Sequence, residues 1–427
     1  MAREMKDSKI RWIGKIPSDW NLNRIQYCLL EIKDKNLPIQ TSQVLSLVKD
    51  KGVMLYEDKG NVGNKAKENI TEYKLAYPNT LIVNSMNILI GSVGISNYFG
   101  CVSPVYYVFK ETDKADLRFI NYIFNTRELQ TELRRYANGI LEIRLRVSAD
   151  DIFKRKIPLP SICEQNKIAD YLDKKCAEID LLVADIQSQI AILEDYKKSV
   201  ITEAVTKGLD PNVEMKDSRI GGVGKIPKDW EITRFKYIGI IKSNLVSVNL
   251  YQEYPQISPD NIAKDSGILL GCNTVAEAGV ISDNHLFYKG QILYSKIRPK
   301  LNKVTIAPFD GLCSADMYPI ETKEYTRFIL YMMLSQYFLN QVTLVTEDRV
   351  KMPKINQEEL GEIKVVFPIR KMQKEIVEYL NQKCFEIDNA IKDKKEQLDV
   401  LEQYKKSLIY EYVTGKKEVS NSNGERL

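Results

Sequence analysis

The chain has 427 residues, 44% hydrophobic and 28% charged, which is enough to bury substantial cores and to divide into about two to four domains. A net charge of +5 indicates no polyanion partner unless the charge is locally clustered. The single histidine, His285, argues against His-dependent acid–base chemistry and against a His-based metal site, and is expected on the surface or in a loop.

No apolar run reaches bilayer length, and Met1 to Lys6 lacks the apolar stretch of a signal peptide. A cytoplasmic protein with no membrane association is therefore expected. Seven cysteines are scattered, and an odd count argues against a disulfide framework. They are expected reduced and mostly buried.

In chain order, the opening Met5 to Trp20 returns as Met215 to Trp230, a shift of 210 residues (Gly14 to Gly224), with eleven of sixteen positions identical. Short apolar runs follow, such as Thr80 to Val83, broken by Gly, Asn and Pro, and these predict mixed strands with some helix. Leu117 to Phe124 reads as a helix, with strand the alternative for so short a run. Arg144 and Arg146 then place basic groups just ahead of a very different segment.

From Glu164 to Lys207 there is no Pro or Gly. Ile179, Leu182, Val183, Ile186, Ile190, Leu193, Tyr196, Val200 and Ala204 make a continuous apolar stripe at helical spacing. About forty residues give a rod on the order of 60 Å long. Pro158 and Pro160 favour a sharp boundary before it, and Lys207 to Asn212 reads as the turn after it.

The second copy repeats this plan. Gln291 to Lys303 places Lys296, Arg298, Lys300 and Lys303 in thirteen residues without an acid, interleaved with Tyr294, Ser295 and Asn302. These groups suit phosphates and base edges, although a short charge run is more often a solvated face. The counterpart in the first copy is taken as Asn87 to Asn97, where Ser92, Ser96 and Asn97 stand in place of the charges. Thr326 to Met333 reads as a helix, and Arg349 and Lys351 match the location of Arg144 and Arg146.

Met372 to Thr414 forms the second rod, its stripe built from Ile387, Ile391, Leu398, Leu401, Tyr404 and Leu408. Tyr171-Leu172 and Tyr379-Leu380 fix its shift from the first rod at 208. A single stripe would read as a core helix or a homodimer zipper. Two matching stripes in one chain instead predict an antiparallel intramolecular pair. Lys416 to Leu427 reads as a frayed tail.

The expected class is α+β, with an internal pseudo-two-fold repeat. Two globular mixed α/β modules, residues 1–156 and 213–364, are separated by two long helices in segments 157–212 and 365–427 that form an antiparallel coiled coil.

Enzyme signatures are absent. Gly14-Lys15 and Gly224-Lys225 lack the surroundings of a P-loop, Gly91 to Gly94 is too short for a dinucleotide fingerprint, and no Asn-Pro-Pro-Tyr or Asp-Pro-Pro-Tyr tetrad occurs. No acidic cluster reads as a nuclease centre. Two other readings stay open from the residues alone: a non-catalytic two-module scaffold that recruits proteins, and an enzyme with unfamiliar motifs.

The paired openings (Trp12 to Trp20 and Val223 to Trp230), the Gln291 to Lys303 motif and the Gln-x-x-Ile-x-x-Tyr-Leu helix starts at Gln165 and Gln373 together resemble the specificity subunit of type I restriction-modification enzymes, over essentially the full chain. The resemblance implies that each module is a target-recognition domain reading one half of a split double-stranded DNA sequence. The coiled coil would set the gap and dock two methyltransferase subunits. S-adenosylmethionine, ATP and Mg would belong to those subunits and to the restriction/translocase subunits, with none bound by this chain, which would not itself be an enzyme.

Overall fold

The computed structural model describes residues 3–49, 51–60, 66, 69–139, 145–349 and 353–419. The chain condenses into two compact units, Met1–Ile186 with Glu396–Leu427, and Gln187–Lys395. Two long helices, Ile162–Lys207 and Arg370–Val413, are each shared between the units. Each unit therefore contains the beginning of one rod and the end of the other.

The helices run this far because nothing in them breaks the ladder, and they stop where glycine takes the left-handed conformation, at Gly208 (φ 76°) and Gly415 (φ 70°). Their starts are held by one buried glutamine each. The Gln165 amide donates to the Pro160 and Lys114 carbonyls, while its oxygen accepts from the Asp116 N–H. Gln373 donates to the Pro368 carbonyl and to Glu324, and accepts from the Tyr325 N–H. The glutamine of the helix-start motif thus ties each rod to the small helix of its own module.

Within each unit the two rods run antiparallel. In the first unit the Lys405 ammonium sits 2.5 Å from Asp180, and the rings of Tyr171 and Tyr412 are 4.5 Å apart. In the second, Lys197 donates to both oxygens of Asp388 at 2.7 Å. Both ion pairs have residue numbers with the same total, as one antiparallel register requires.

The buried or half-buried seam steps alternately by four and three along Ile179, Val183, Ile186, Ile190, Leu193, Lys197 and Val200, and likewise along Ile387, Ile391, Lys394, Leu398, Leu401, Lys405 and Leu408. This is the 3.5-residue period of a left-handed coiled coil. Leu182, expected in the stripe, departs from this seam. It is 52% exposed, because a stripe read at 3.6 residues per turn is wider than the seam. Tyr196 and Tyr404 leave the seam for the same reason.

Each module is built on a four-stranded antiparallel sheet of one order. In the first unit this is Leu29–Ile32, Tyr106–Glu111, Thr80–Asn84 and Val93–Ser96. In the second it is Gly239–Ile241, Met317–Thr322, Ile292–Ser295 and Val304–Ile306. Val83 pairs with Val93 and Tyr107, as Tyr294 pairs with Val304 and Tyr318.

This register corrects the sequence alignment of the two copies. The counterpart of residues 291–303 is 80–92, not Asn87 to Asn97, since apolar runs can be slid along one another in sequence but not in a hydrogen-bonded ladder. The second unit also carries a five-stranded sheet, Leu245–Val246, Asn284–Phe287, Gly311–Cys313, Pro255–Ile257 and Asn273–Thr274. The first has two separate two-stranded pairs, Leu45–Val48 with Gly52–Leu55 and Lys74–Ala76 with Gly100–Val102.

The repeated opening makes a hairpin, Met5–Asp7 with Lys15–Pro17 and Met215–Asp217 with Lys225–Pro227, that presents a tryptophan to a helix end. Trp20 shares a core with Leu408, Ile409, Tyr412 and Val413, and Trp230 shares one with Val200, Ile201, Ala204 and Val205. A Cβ at Gly415 would stand 2.5 Å from Pro17, so the close seat needs glycine there for space as well as for its φ.

The predicted helices at Leu117–Phe124 and Thr326–Leu334 are present. The latter meets Gln336–Thr346 at 61°; among the described residues no single helix is long and apolar enough to cross a membrane. His285 does not lie on the surface. It sits buried on strand Asn284–Phe287, opposite Cys313, in a strand that lies inside the five-stranded sheet, where Asn284 and Phe287 are buried as well.

Candidate nucleic-acid interface

The connection between the last two strands of each four-stranded sheet forms a tip, residues 296–303 in the second unit. Hydrogen bonds fix its backbone against the segment that precedes the short helix Gln357–Glu362: Arg298 N–H donates to the Pro353 carbonyl and Ile355 N–H to the Lys296 carbonyl, both at 2.9 Å. Arg298 (φ 47°) and Asn302 (φ 44°) are both left-handed. Asparagine tolerates that conformation; arginine adopts it only where its surroundings enforce it.

Most of the expected contact residues of this tip are turned inward. Tyr294 is in the module core, and burial pushes its phenol up from the ordinary value. Ser295 donates to the Ile297 carbonyl at 3.0 Å, and the Asn302 amide donates to the Leu334 carbonyl at 3.3 Å. Lys303 donates to the Pro259 carbonyl at 2.7 Å and sits 3.5 Å from Asp260. Lys296 is half-buried, its ammonium 5.3 Å from the centre of the Tyr318 ring.

Tyr294 and Ser295 end the strand that leads into the tip and Asn302 braces the tip from within, so none of the three displays its polar group. Arg298 and Lys300 are exposed. His285 lies close enough to Lys296 that burial, and then that cation, lowers its pKa from the ordinary histidine value.

In the first unit Ser92 and Ser96 are buried, and Ser96 donates to the Tyr98 carbonyl at 3.0 Å. Asn97 is exposed at a different turn, next to half-exposed Tyr98 and Phe99, with Phe99 packed 5.6 Å from Tyr77. Arg146 is exposed and its backbone pairs in both directions with Asn138. Arg349 is not its free equivalent, because its guanidinium is taken up by Glu359 and the Lys354 carbonyl. That hydrogen bond to Glu359 raises the Arg349 pKa, and Arg349 holds the Glu359 carboxyl below the usual carboxylate range. Arg144 and Lys351 lie outside the described residues.

The sheet register brings forward two residues that sequence reading passed over. Asn87, exposed, takes the place of Arg298, and exposed Ile90 lies beside it. The signal was present in the equal spacing, ten residues, from Val83 to Val93 and from Tyr294 to Val304. Gly91 (φ 83°) then occupies the left-handed position of Asn302. The two copies thus offer one rigid scaffold with an amide and an aliphatic group at one tip, and two cations at the other. Among the described residues no cluster of three or more His, Cys, Asp or Glu could hold a metal.

The model of the type I restriction modification DNA specificity domain matches residues 18–191 and 212–403, and the chain belongs to that family. It is 37% identical to the type I restriction enzyme EcoDI specificity subunit of Escherichia coli, over 54% of this chain and 55% of that protein. It is 24% identical to the MjaVIII specificity subunit of Methanocaldococcus jannaschii, over 96% and 95% of the two chains. In fold it resembles a chain solved in work on complex assembly and conformational transition of the type I R-M system, with a TM-score of 0.70, 12% identity, and 94% and 99% of the two chains covered.

Proposed function

We propose that this chain is the DNA-reading, non-catalytic subunit of a type I restriction-modification complex, in which each module reads one half of a bipartite double-stranded target and the paired helices set the unread gap. The observation that carries this reading is one scaffold made twice with unlike exposed tips, since an asymmetric split sequence asks for equivalent positions with different donors and acceptors. The family membership and the relatives named as specificity subunits support it.

In this reading two methyltransferase subunits bring S-adenosylmethionine, and restriction/translocase subunits bring ATP and Mg, all in the cytoplasm. The exposed apolar side chains of the rods are their docking groups. In the first unit the register brings Leu181 level with Tyr404, one turn from Val400; in the second, Ile192 and Tyr196 lie one turn apart on the first rod, with Phe385 on the other.

The deciding experiment maps N6-methyladenine in DNA from cells that express this chain with its methyltransferase subunits. A split motif with a constant gap is expected, and no methylation or turnover by the isolated chain supplied with Mg, ATP and S-adenosylmethionine. A contiguous motif, or none, would overturn the proposal.

A further inference from the structure

Arg298 and Asn87 are equivalent positions in the duplicated scaffold, and they are the places where that scaffold releases a polar side chain that the fold does not use. The Asn87 carbonyl accepts from Ile90 and Ser92 N–H groups, so its backbone is held, yet its side chain makes no capping hydrogen bond to the short turn it precedes. Asparagine at that position ordinarily makes one. Among the described residues neither the Asn87 amide nor the Arg298 guanidinium has a hydrogen-bond or ion-pair partner.

Arg298 is also the residue whose backbone departs from its counterpart. Asn87 sits at φ −111°, ψ 7°, a geometry that the following proline, Pro299, excludes at residue 298. Arg298 instead takes φ 47°, ψ 56°, clamped by its hydrogen bond to Pro353. Lys296, Asn302 and Lys303, on the same eight-residue connection, are spent on internal contacts. Lys300 is exposed, but it is a point charge without the paired donors that a base edge matches.

We infer that Arg298 and Asn87 are the specificity-determining side chains of the two heads, Arg298 donating to the O6 and N7 acceptors of a guanine and Asn87 pairing with the N6 and N7 edge of an adenine in the other half-site. This rests on the reading that each module faces DNA, and it adds which atoms do the discriminating. A planar guanidinium and a carboxamide match these two base edges in bidentate fashion, and a backbone fixed before binding lowers the cost of ordering the contact. The tips are the same loop, so a difference of one side chain changes the base read without moving the scaffold.

The test uses the full chain expressed with its methyltransferase subunits, comparing wild type with Arg298→Ala, Arg298→Lys and Asn87→Ala by methylation mapping and by binding to duplexes that carry single base changes. Arg298→Ala is expected to relax one guanine position in one half-site, losing about ten- to a hundredfold of discrimination there, while the other half-site and the gap stay as in wild type. Arg298→Lys restores affinity without full discrimination, and Asn87→Ala relaxes an adenine in the opposite half-site. Affinity that drops equally on every duplex with all bases still discriminated, relaxation in both half-sites at once, or a motif unaltered in both alanine variants, would overturn the inference. If wild type itself gives no split motif, it is the proposed function that fails.

Discussion

Trp20 and Trp230 fill the same place in the two copies, each 1% exposed against the end of a long helix, yet their indole nitrogens meet different fates. Trp20 Nε1 donates to Glu164 at 3.0 Å, and Arg3 joins Glu164 (2.6 Å) to Asp19 (2.7 Å) while stacking 5.5 Å from the Trp20 ring. In the second copy the repeat places Met372 where Glu164 stands and Val213 where Arg3 stands, and Trp230 Nε1 is buried with no partner among the described residues. What the duplication kept is therefore the shape of the indole in its apolar seat. The polar network around Trp20 has no counterpart at Trp230, and the second copy folds to the same plan without it.

If shape is the shared requirement, deleting it must hurt both copies alike. Trp20→Ala and Trp230→Ala are each expected to cost about 3–5 kcal/mol, read as lost amide protection in the unit that carries the change; a loss in the first unit alone would break the equivalence. The seam gives the next largest effect. Ile179→Ala and Ile387→Ala should cost about 2–5 kcal/mol each, whereas Leu182→Ala, off the seam, should stay within about 0.5 kcal/mol. Comparable losses at Ile179 and Leu182 in a denaturation series would mean that the helices pack at the wider stripe.

That contrast also marks how far the sequence could be read. The duplication, the two rods and their antiparallel pairing were legible because Pro, Gly and apolar spacing act locally along the chain. Leu182 was misplaced because a 3.6-residue stripe and a 3.5-residue seam diverge by only a fraction of a turn over one heptad. In the second copy charge singled out one connection, but five of the seven residues expected there are scaffold or half-buried. Whether a Lys or Asn points inward depends on carbonyls such as those of Pro259 and Leu334, which are distant in sequence. The counterpart in the first copy starts seven residues earlier than the apolar runs suggest, and the strand register fixes it.

The polar network itself is tested by exchanging it between copies. Glu164→Met leaves Trp20 Nε1 as unpartnered as Trp230 and leaves Arg3 with Asp19 as its one ion-pair partner among the described residues, and should cost about 1–3 kcal/mol in the first unit. Met372→Glu offers Trp230 the missing acceptor but also replaces an apolar side chain that packs on the second core, so a gain of no more than about 1 kcal/mol is expected. A larger gain than the loss at Glu164 would mean that the hydrogen bond, and not the apolar seat, dominates this corner of the fold.

The smallest effect is a pH dependence confined to one copy. The hydrogen bond from Arg3 holds the Asp19 carboxyl below the usual carboxylate range, so its folded value lies beneath its unfolded one. Stability from this pair is then present above the ordinary carboxylate pKa and fades as the pH falls through the folded value. Asp19 is 62% exposed, which screens the pair and keeps its share small. Asp19→Asn should slightly destabilise the first unit at neutral pH and flatten its acid-side decline, while Asp229→Asn, at a position with no ion pair among the described residues, should leave the second unit within about 0.5 kcal/mol at neutral pH. An acid-side slope that Asp19→Asn does not alter would place the pH sensitivity of this corner elsewhere and leave Arg3 acting through Glu164 and the indole ring alone.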